Sequence, residues 1–388
     1  MYALRDYHYI LPPELIAQEA IHPHHDARLL IIDRTNGKII DESTFWELDR
    51  YIPDDRVIFF NNSRVLPARI RLHDIDIIDT DGNTSIIHDG EILFCQKQVD
   101  GTFEAMVRPG KKYKIGTKIL LGESSLEVVG MSESGRYMRA HGASIESIME
   151  TYGELPLPPY IEYTKAKEDD YQTSFAESDG SVAAPTASLH FTRALLEKLP
   201  HEQSYVTLHV GMGTFKGVDT EDIRDYHIHS EMVRVDASIF AHIRERREWG
   251  RSILAVGTTV CRTLESLPYL YQSLPSEIID TLDTDTRSYW DTLTAEIPRE
   301  EYIHSIVYDR EKMLIDFSTQ IYIYPWKSFY IVNDLITNFH LPESSLLMLV
   351  SGFLWYDATM HAYQHAIEEK YRFFSFGDGM YIKNLIKS

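Results

Sequence analysis

The segment AVGTTVCRTLES, residues 255–266, decides the fold. The apolar run at 253–256 reads as a buried strand, Gly257 stops it, and a helix starts at Thr258 or Thr259. A short apolar run closed by glycine and followed by helical spacing marks a strand-to-helix step. Arg262 and Glu265 lie three apart on that helix, a spacing that suits a surface ion pair.

The same alternation recurs on both sides of this segment. Thr192 can cap a helix carrying Leu195, Leu196 and Leu199, and residues 205–210 alternate like a strand. Asp236 can cap a helix with Ile239, Phe240 and Ile243 that Gly250 ends. Residues 321–324 read as another strand before Pro325, and Pro342 can open a long apolar helix. Upstream, a strand at 57–60 runs into Asn61-Asn62-Ser63-Arg64. Between about 71 and 142 the texture changes to short β-rich runs split by Gly, Asp, Asn and Ser, as in a small antiparallel sheet or barrel. The expected architecture is an α/β domain of residues 1–70 and 144–388, with a mostly parallel sheet and covering helices. Residues 71–143 form an inserted small antiparallel β-barrel domain, and residues 268–318 an acidic, partly helical surface excursion.

Of 388 residues, 44% are hydrophobic and 25% charged, an ordinary globular composition. The N-terminus lacks the basic start and apolar run of a signal peptide. The most apolar window, 346–356, is broken by Ser351 and Gly352 and falls short of the ~20 residues of a membrane span. Cys95 and Cys261 form no C-x-x-C, so reduced thiols and a cytoplasmic, membrane-free protein are expected. The net charge of −21 runs against the basic balance usual in nucleic-acid binders. The acidity is uneven, however. Residues 74–91 hold six carboxylates and no Lys or Arg, and residues 268–318 hold eleven against four basic residues, which leaves room for a local basic surface elsewhere.

Polar clusters fall at predicted strand ends, where ligands of α/β sheets usually bind. GELPLPPYI (153–161) is a rigid proline-rich segment, a structural tie or a binding wall. GSVAAPTASLHFT (180–192) sets small residues, Thr186, Ala187 and Ser188 among them, before a helix start, and places His190 there; a packed turn with a satisfied histidine is the simpler alternative. TLHVGMGTF (207–215) runs from His209 into Gly211-x-Gly213 and Thr214, a turn able to cradle an anion. His227-x-His229 with Glu231 offers metal-ligand spacing on one strand face. TNFHLPESS (337–345), with Asn338 and His340, and YRFFSFGDG (371–379), with Arg372 and Asp378, complete the set.

Taken together and in this order, these stretches resemble the tRNA ribosyltransferase-isomerases of queuosine biosynthesis. LPPELIAQ (11–18), NNSRVLPARI (61–70) and RPGKK (108–112) extend the resemblance over most of the chain. The resemblance implies an α/β domain with an inserted β-barrel. It implies transfer and isomerisation of the ribosyl part of S-adenosylmethionine onto 7-aminomethyl-7-deazaguanine at the tRNA wobble position. The product is epoxyqueuosine in tRNA, with adenine and methionine released and no metal used. Proton removal beside the sulfonium needs a general base, expected among His190, His209, His229 and Glu231. Thr186, Ala187, Ser188, Gly211, Gly213, Thr214, Gly257, Thr258, Thr259 and Arg262 are the expected S-adenosylmethionine contacts. Asn61, Asn62, Arg64, Arg69, Arg108, Lys111, Lys112, Tyr171, Gln172, Asn338, His340 and Arg372 are those expected for tRNA, and a monomer is expected.

Three departures stand out. Residues 21–28 match the family's Arg-rich element only at Arg28. Cys261 replaces a small apolar residue, which argues against a cysteine nucleophile. Trp326 stands where the family has Gly, so the loop there must differ or the ligand contact must change. Two other readings remain open: a tRNA-binding paralogue without this turnover or with another substrate, and a metallohydrolase built on His227, His229 and Glu231.

Overall fold

The computed structural model describes residues 2–98, 100–132, 135–211 and 217–385. The chain divides into two compact units, one of residues 1–62, 173–176 and 185–388, the other of residues 63–172 and 177–184.

The first unit is built on a ten-stranded sheet. Its strands run in the order Ile303–Asp309, Leu314–Thr319, Glu231–Asp236, Glu202–His209, Arg56–Asn61, Ser252–Val256, Asp334–Asn338, Gly379–Lys383, Arg28–Asp33 and Ile39–Thr44. The middle four, from Glu202–His209 to Asp334–Asn338, are mutually parallel. Their flanks are mostly antiparallel, so the sheet is mixed where a mostly parallel one was expected. Strands RVIFFN and SILAV are buried at every residue, as befits strands covered on both faces. Ile58, Phe60, Leu254, Val256 and Ile336 face a core shared with Phe45, Phe191 and Leu195. The alternate residues Val57, Phe59, Ile253 and Ala255 point the other way, toward the side crossed by helix Thr258–Ser273.

Local signals place most of these elements. Thr192 accepts the Leu195 N–H and caps helix Arg193–Lys198. Gly250 takes φ +69° just past helix Ile239–Glu248. Asp236 acts one turn early, its carboxylate accepting the Ser238 N–H at 2.8 Å. Pro342 does not open the apolar helix, which starts at Ser345 with Ser344 as its cap. Residues 321–324 form no strand and join no ladder among the described residues. Side chains take both backbone groups of Ile321: its N–H donates to Thr319 Oγ1 and its carbonyl accepts from Arg262 Nε. The acidic segment 268–318 is no mere excursion, because it supplies two sheet strands and a helix, Thr284–Thr294, that buries Trp290 completely.

At the start of the parallel strands, Arg56 reaches across Ser252–Val256 to Asp334. Arg56 Nε donates to Asp334 at 2.6 Å, and both side chains are buried. Asp334 also accepts Tyr381 Oη at 2.8 Å and the Asn384 N–H at 2.9 Å.

The second unit holds a nine-stranded antiparallel sheet whose order runs from Gly153–Glu154 through Arg69–Leu72, Gly90–Lys97, Phe103–Arg108, Arg136–His141, Ser124–Met131, Lys118–Leu121 and Ile75–Ile78 to Thr84–Ile87. Among the described residues no pairing joins its two ends, so the expected barrel is not closed by hydrogen bonds. No helix of the described residues is long and apolar enough to cross a membrane.

Removing one member of a buried ion pair strands the other, at a cost of about 3–5 kcal/mol. Asp334→Asn should therefore lose roughly 3 kcal/mol in urea unfolding; a variant as stable as the parent would show that the pair does not hold the central strands.

Candidate active-site rim

Because the middle four strands are parallel, their C-terminal ends share one edge of the sheet, and antiparallel strand Glu231–Asp236 begins there. That edge gathers Asn61, Asn62, His209, Gly211, Gly257, Thr258, Thr259, Asn338 and Glu231. Gly213 and Thr214 lie outside the described residues. Gly257 has φ +93° and ψ 153°, a conformation open in practice only to glycine. It brings the start of helix Thr258–Ser273 against the turn Thr186–His190: a Cβ built on Gly257 would lie 3.8 Å from Ala187 Cβ and 3.7 Å from Thr259 Oγ1. Ser188 Oγ and Thr259 Oγ1 are buried and have no hydrogen-bond partner among the described residues.

Asn338 locks the turn to the sheet. Its Oδ1 accepts Thr186 Oγ1 at 3.0 Å, while its Nδ2 faces His190 Nε2 at 3.2 Å and the Asp378 carbonyl at 3.4 Å. An amide nitrogen only donates, so His190 Nε2 is an acceptor and its proton sits on Nδ1, which donates to the His24 carbonyl at 3.3 Å. The ring also stacks on Phe45 at 4.2 Å. Burial pushes the His190 pKa down to about 3. A ring so weakly basic, with both nitrogens engaged, is an orienting group and not the expected general base. His340 is likewise buried, pushed down to about 3, and bonded to Thr337 Oγ1 at 2.8 Å, so it is not placed to meet tRNA. The departing segment 21–28 braces the same turn: His24 Nδ1 meets the Leu189 carbonyl at 3.0 Å and His25 Nδ1 meets Thr192 Oγ1 at 2.6 Å.

At the other side of the rim, Arg262 and Glu231 form a buried ion pair, Nη1 to Oε2. The Gly211 N–H points to Glu231 Oε1 at 3.4 Å, and His229 Nε2 lies 3.4 Å from that oxygen. Arg262 thus does not pair with Glu265. Glu265 instead accepts the N–H groups of Tyr330, Ile331 and Val332 at 2.8, 3.0 and 2.7 Å. Burial raises its pKa against the pull of those three amides. The metal reading fails on geometry, since His227 is exposed with Nδ1 toward the Asp225 carbonyl and Glu231 is taken by Arg262. Cys261 is fully buried and its thiol pushed well up by desolvation, which suits packing and not nucleophilic attack.

Several expected tRNA contacts are spent internally. The Asn61 amide bonds both backbone groups of Leu208, at 2.9 and 3.1 Å, so it braces the sheet. Asn62 Oδ1 accepts Thr207 Oγ1 at 2.7 Å. Arg372 donates to the Glu19 carbonyl at 3.0 Å and lies 3.6 Å from Asp378. Asp378, missed as a structural centre, accepts the N–H groups of Arg28 and Arg372 at 2.9 and 2.7 Å. In the second unit, Tyr171 is wholly buried, and Gln172 bonds both backbone groups of Val65 at 3.2 Å. Arg64 lies 3.5 Å from Asp179 and Arg69 lies 3.7 Å from Glu91, whereas Arg108, Lys111 and Lys112 are exposed.

Trp326 keeps the glycine-like φ > 0 that was expected to be lost there. Its φ is +73°, so the chain keeps a glycine-like backbone and places a tryptophan on it, with the ring 4.7 Å from Tyr2.

The model of a queuosine biosynthesis protein family matches residues 4–382. A relative in Lachnoclostridium phytofermentans, an S-adenosylmethionine:tRNA ribosyltransferase-isomerase, is 36% identical over 98% of this chain and 97% of its own. One of the same name in Clostridioides difficile is 37% identical over 98% of this chain and 99% of its own. The solved S-adenosylmethionine tRNA ribosyltransferase of Thermotoga maritima is 29% identical, with 97% and 99% of the two chains covered and a TM-score of 0.48. With a family model that spans nearly its full length, the chain belongs to the queuosine biosynthesis protein family.

Two outcomes follow from this geometry. Trp326→Ala and Trp326→Gly lose the same ring contact, but only glycine relaxes the left-handed backbone. Trp326→Gly should exceed Trp326→Ala in unfolding free energy by about 1 kcal/mol; equal stabilities would mean that the loop carries no strain. His190 and His340 refuse protons in the folded state down to a pH of about 3, whereas an unfolded histidine takes one near 6.5. Their contribution is therefore full above pH 6.5 and lost as pH falls toward 3. Unfolding measured at pH 6 and pH 4 should show His340→Gln with about one proton less of pH dependence than the parent, and an unchanged slope would contradict the burial argument.

Proposed function

We propose that this chain transfers and isomerises the ribosyl part of S-adenosylmethionine onto 7-aminomethyl-7-deazaguanine at the wobble position of tRNA. The product is epoxyqueuosine-tRNA, and adenine and methionine leave. The activity of the relatives and their end-to-end match support this reading. The observation that carries it is the Arg262–Glu231 pair with His229 at the rim, since the reaction needs a proton taken from the ribose carbon next to the sulfonium.

In this reading His229 is the general base. Glu231 orients the imidazole and stabilises the imidazolium that forms, and Arg262 holds that carboxylate in place through its ion pair. Thr186, Ala187, Ser188, Gly211, Gly257, Thr258 and Thr259 would surround S-adenosylmethionine. The small side chains and the glycine at 257 allow close backbone approach, and the free N–H groups at the start of helix Thr258–Ser273 offer donors. His209 stands at the end of its strand as a second candidate base. The chain would act in the cytoplasm as a monomer with tRNA as its partner, without a metal.

The test is incubation with S-adenosylmethionine and tRNA carrying the aminomethyl-deazaguanine, with released adenine measured. The parent should release adenine, and His229→Ala and Glu231→Gln should each lower kcat by about 100-fold or more. A folded parent that releases none would defeat the assignment, and full turnover by His229→Ala would move the base elsewhere.

A further inference from the structure

Residues 108–118, RPGKKYKIGTK, carry five cations and no carboxylate in a chain whose net charge is −21. The segment links strands Phe103–Arg108 and Lys118–Leu121 in the second unit. It is anchored from inside. Tyr113 and Thr117 are buried. Arg136 donates to the carbonyls of Tyr113, Gly135 and Gly110 at 2.7, 2.8 and 3.0 Å, so its guanidinium clamps the segment. Arg108, Lys111, Lys112, Lys114 and Lys118 are left exposed on this fixed support.

Three carboxylates near the segment are engaged elsewhere. Glu91 stands opposite Arg108 in the ladder but faces Arg69 at 3.7 Å. Glu127 stands opposite Lys118 but bonds His141 at 2.6 Å. Asp79 acts on Lys114 only at a distance, and its oxygens bond Asn83 and the Asp81 N–H. Among the described residues only Lys112 holds a polar partner for its side chain, the Ile86 carbonyl at 2.7 Å, and none of the five makes an ion pair. An ordinary solvated face interleaves both signs, and in this chain acidic groups outnumber basic ones by 59 to 38. A rigid support that collects five exposed cations, with no ion pair among the described residues, fits an extended polyanion.

We propose that this segment binds the phosphate backbone of an RNA, with Arg108, Lys111, Lys114 and Lys118 as the contacts. That the RNA is the substrate tRNA rests on the function proposed above; the charge argument does not. It separates the basic candidates: Arg64 and Arg69 face carboxylates and are not part of this surface, whereas Lys114 and Lys118 join it. Such contacts set orientation and carry no base preference.

The experiment measures binding of an unmodified tRNA transcript to the full-length protein across a salt series. Each phosphate contact contributes about 0.7–0.9 to the slope of log K against log salt. Lys111→Ala/Lys114→Ala should flatten that slope by about 1.5 and weaken binding roughly tenfold at low salt. Its circular dichroism and its affinity for S-adenosylmethionine should match the parent. Lys38→Ala, an exposed lysine of the first unit, should leave slope and affinity unchanged. An unaltered slope in the double variant would overturn the proposal. So would a parent that fails to bind tRNA, or one whose double variant loses only its hold on phosphatidylserine vesicles. Binding needs no turnover, so a flattened slope with no adenine release would sustain this surface and defeat the reaction assigned above.

Discussion

The ion pair between Arg56 and Asp334 ties together strands that are not neighbours, across a third that lies between them. Charges so deeply buried are costly unless their hydrogen-bonding capacity is met. Here Asp334 also accepts Tyr381 and Asn384, while Arg56 donates to Asp55 and the Asn384 carbonyl. The network sits where the parallel strands begin and fixes their register. Asn61 does the corresponding work where they end, closing both backbone groups of Leu208. A sheet held at both ends delivers its polar strand termini to one edge at set heights, and the candidate site depends on that alignment.

Along this edge, residues of one type take different roles according to surroundings. His190 and His229 both lie beside small or polar residues in sequence. His190 is enclosed by Phe45, Asn338 and the His24 carbonyl, so desolvation keeps it neutral and its nitrogens are consumed. His229 keeps part of its side chain open and lies next to a carboxylate. The same contrast separates Glu231, which faces Arg262, from Glu265, which closes a backbone turn at 330–332.

The sequence was most legible where structure is set locally. The strand–glycine–helix step at 253–259 and the Thr192 cap depend on neighbours a few residues away, and they stand as read. Errors arose where a distant partner decides. Arg262 and Glu265 have ideal spacing for an ion pair, yet each finds a better partner that the chain delivers from far along the sequence. The run at 321–324 has strand-like residues, but side chains of Arg262 and Thr319 take the hydrogen bonds that a ladder would need. Composition marked 268–318 as surface because its charges are visible in sequence and its buried Trp290 and sheet pairings are not. Of the candidate site, the stretches were legible; which side chain in each is free to act was not, because that depends on neighbours from other strands.

The order of strands also governs how this protein can be made. Strand Arg28–Asp33 lies between Ile39–Thr44, its immediate successor, and Gly379–Lys383, at the far end of the chain. At ~5–20 residues per second of synthesis, the first strand waits roughly half a minute for its second neighbour. Until then its apolar residues Leu29, Leu30, Ile31 and Ile32 have one ladder edge open. The second unit, contributed mainly by residues 63–172, emerges during that interval. On the ribosome the inserted segment can therefore be complete while the sheet that carries the candidate site is still unfinished.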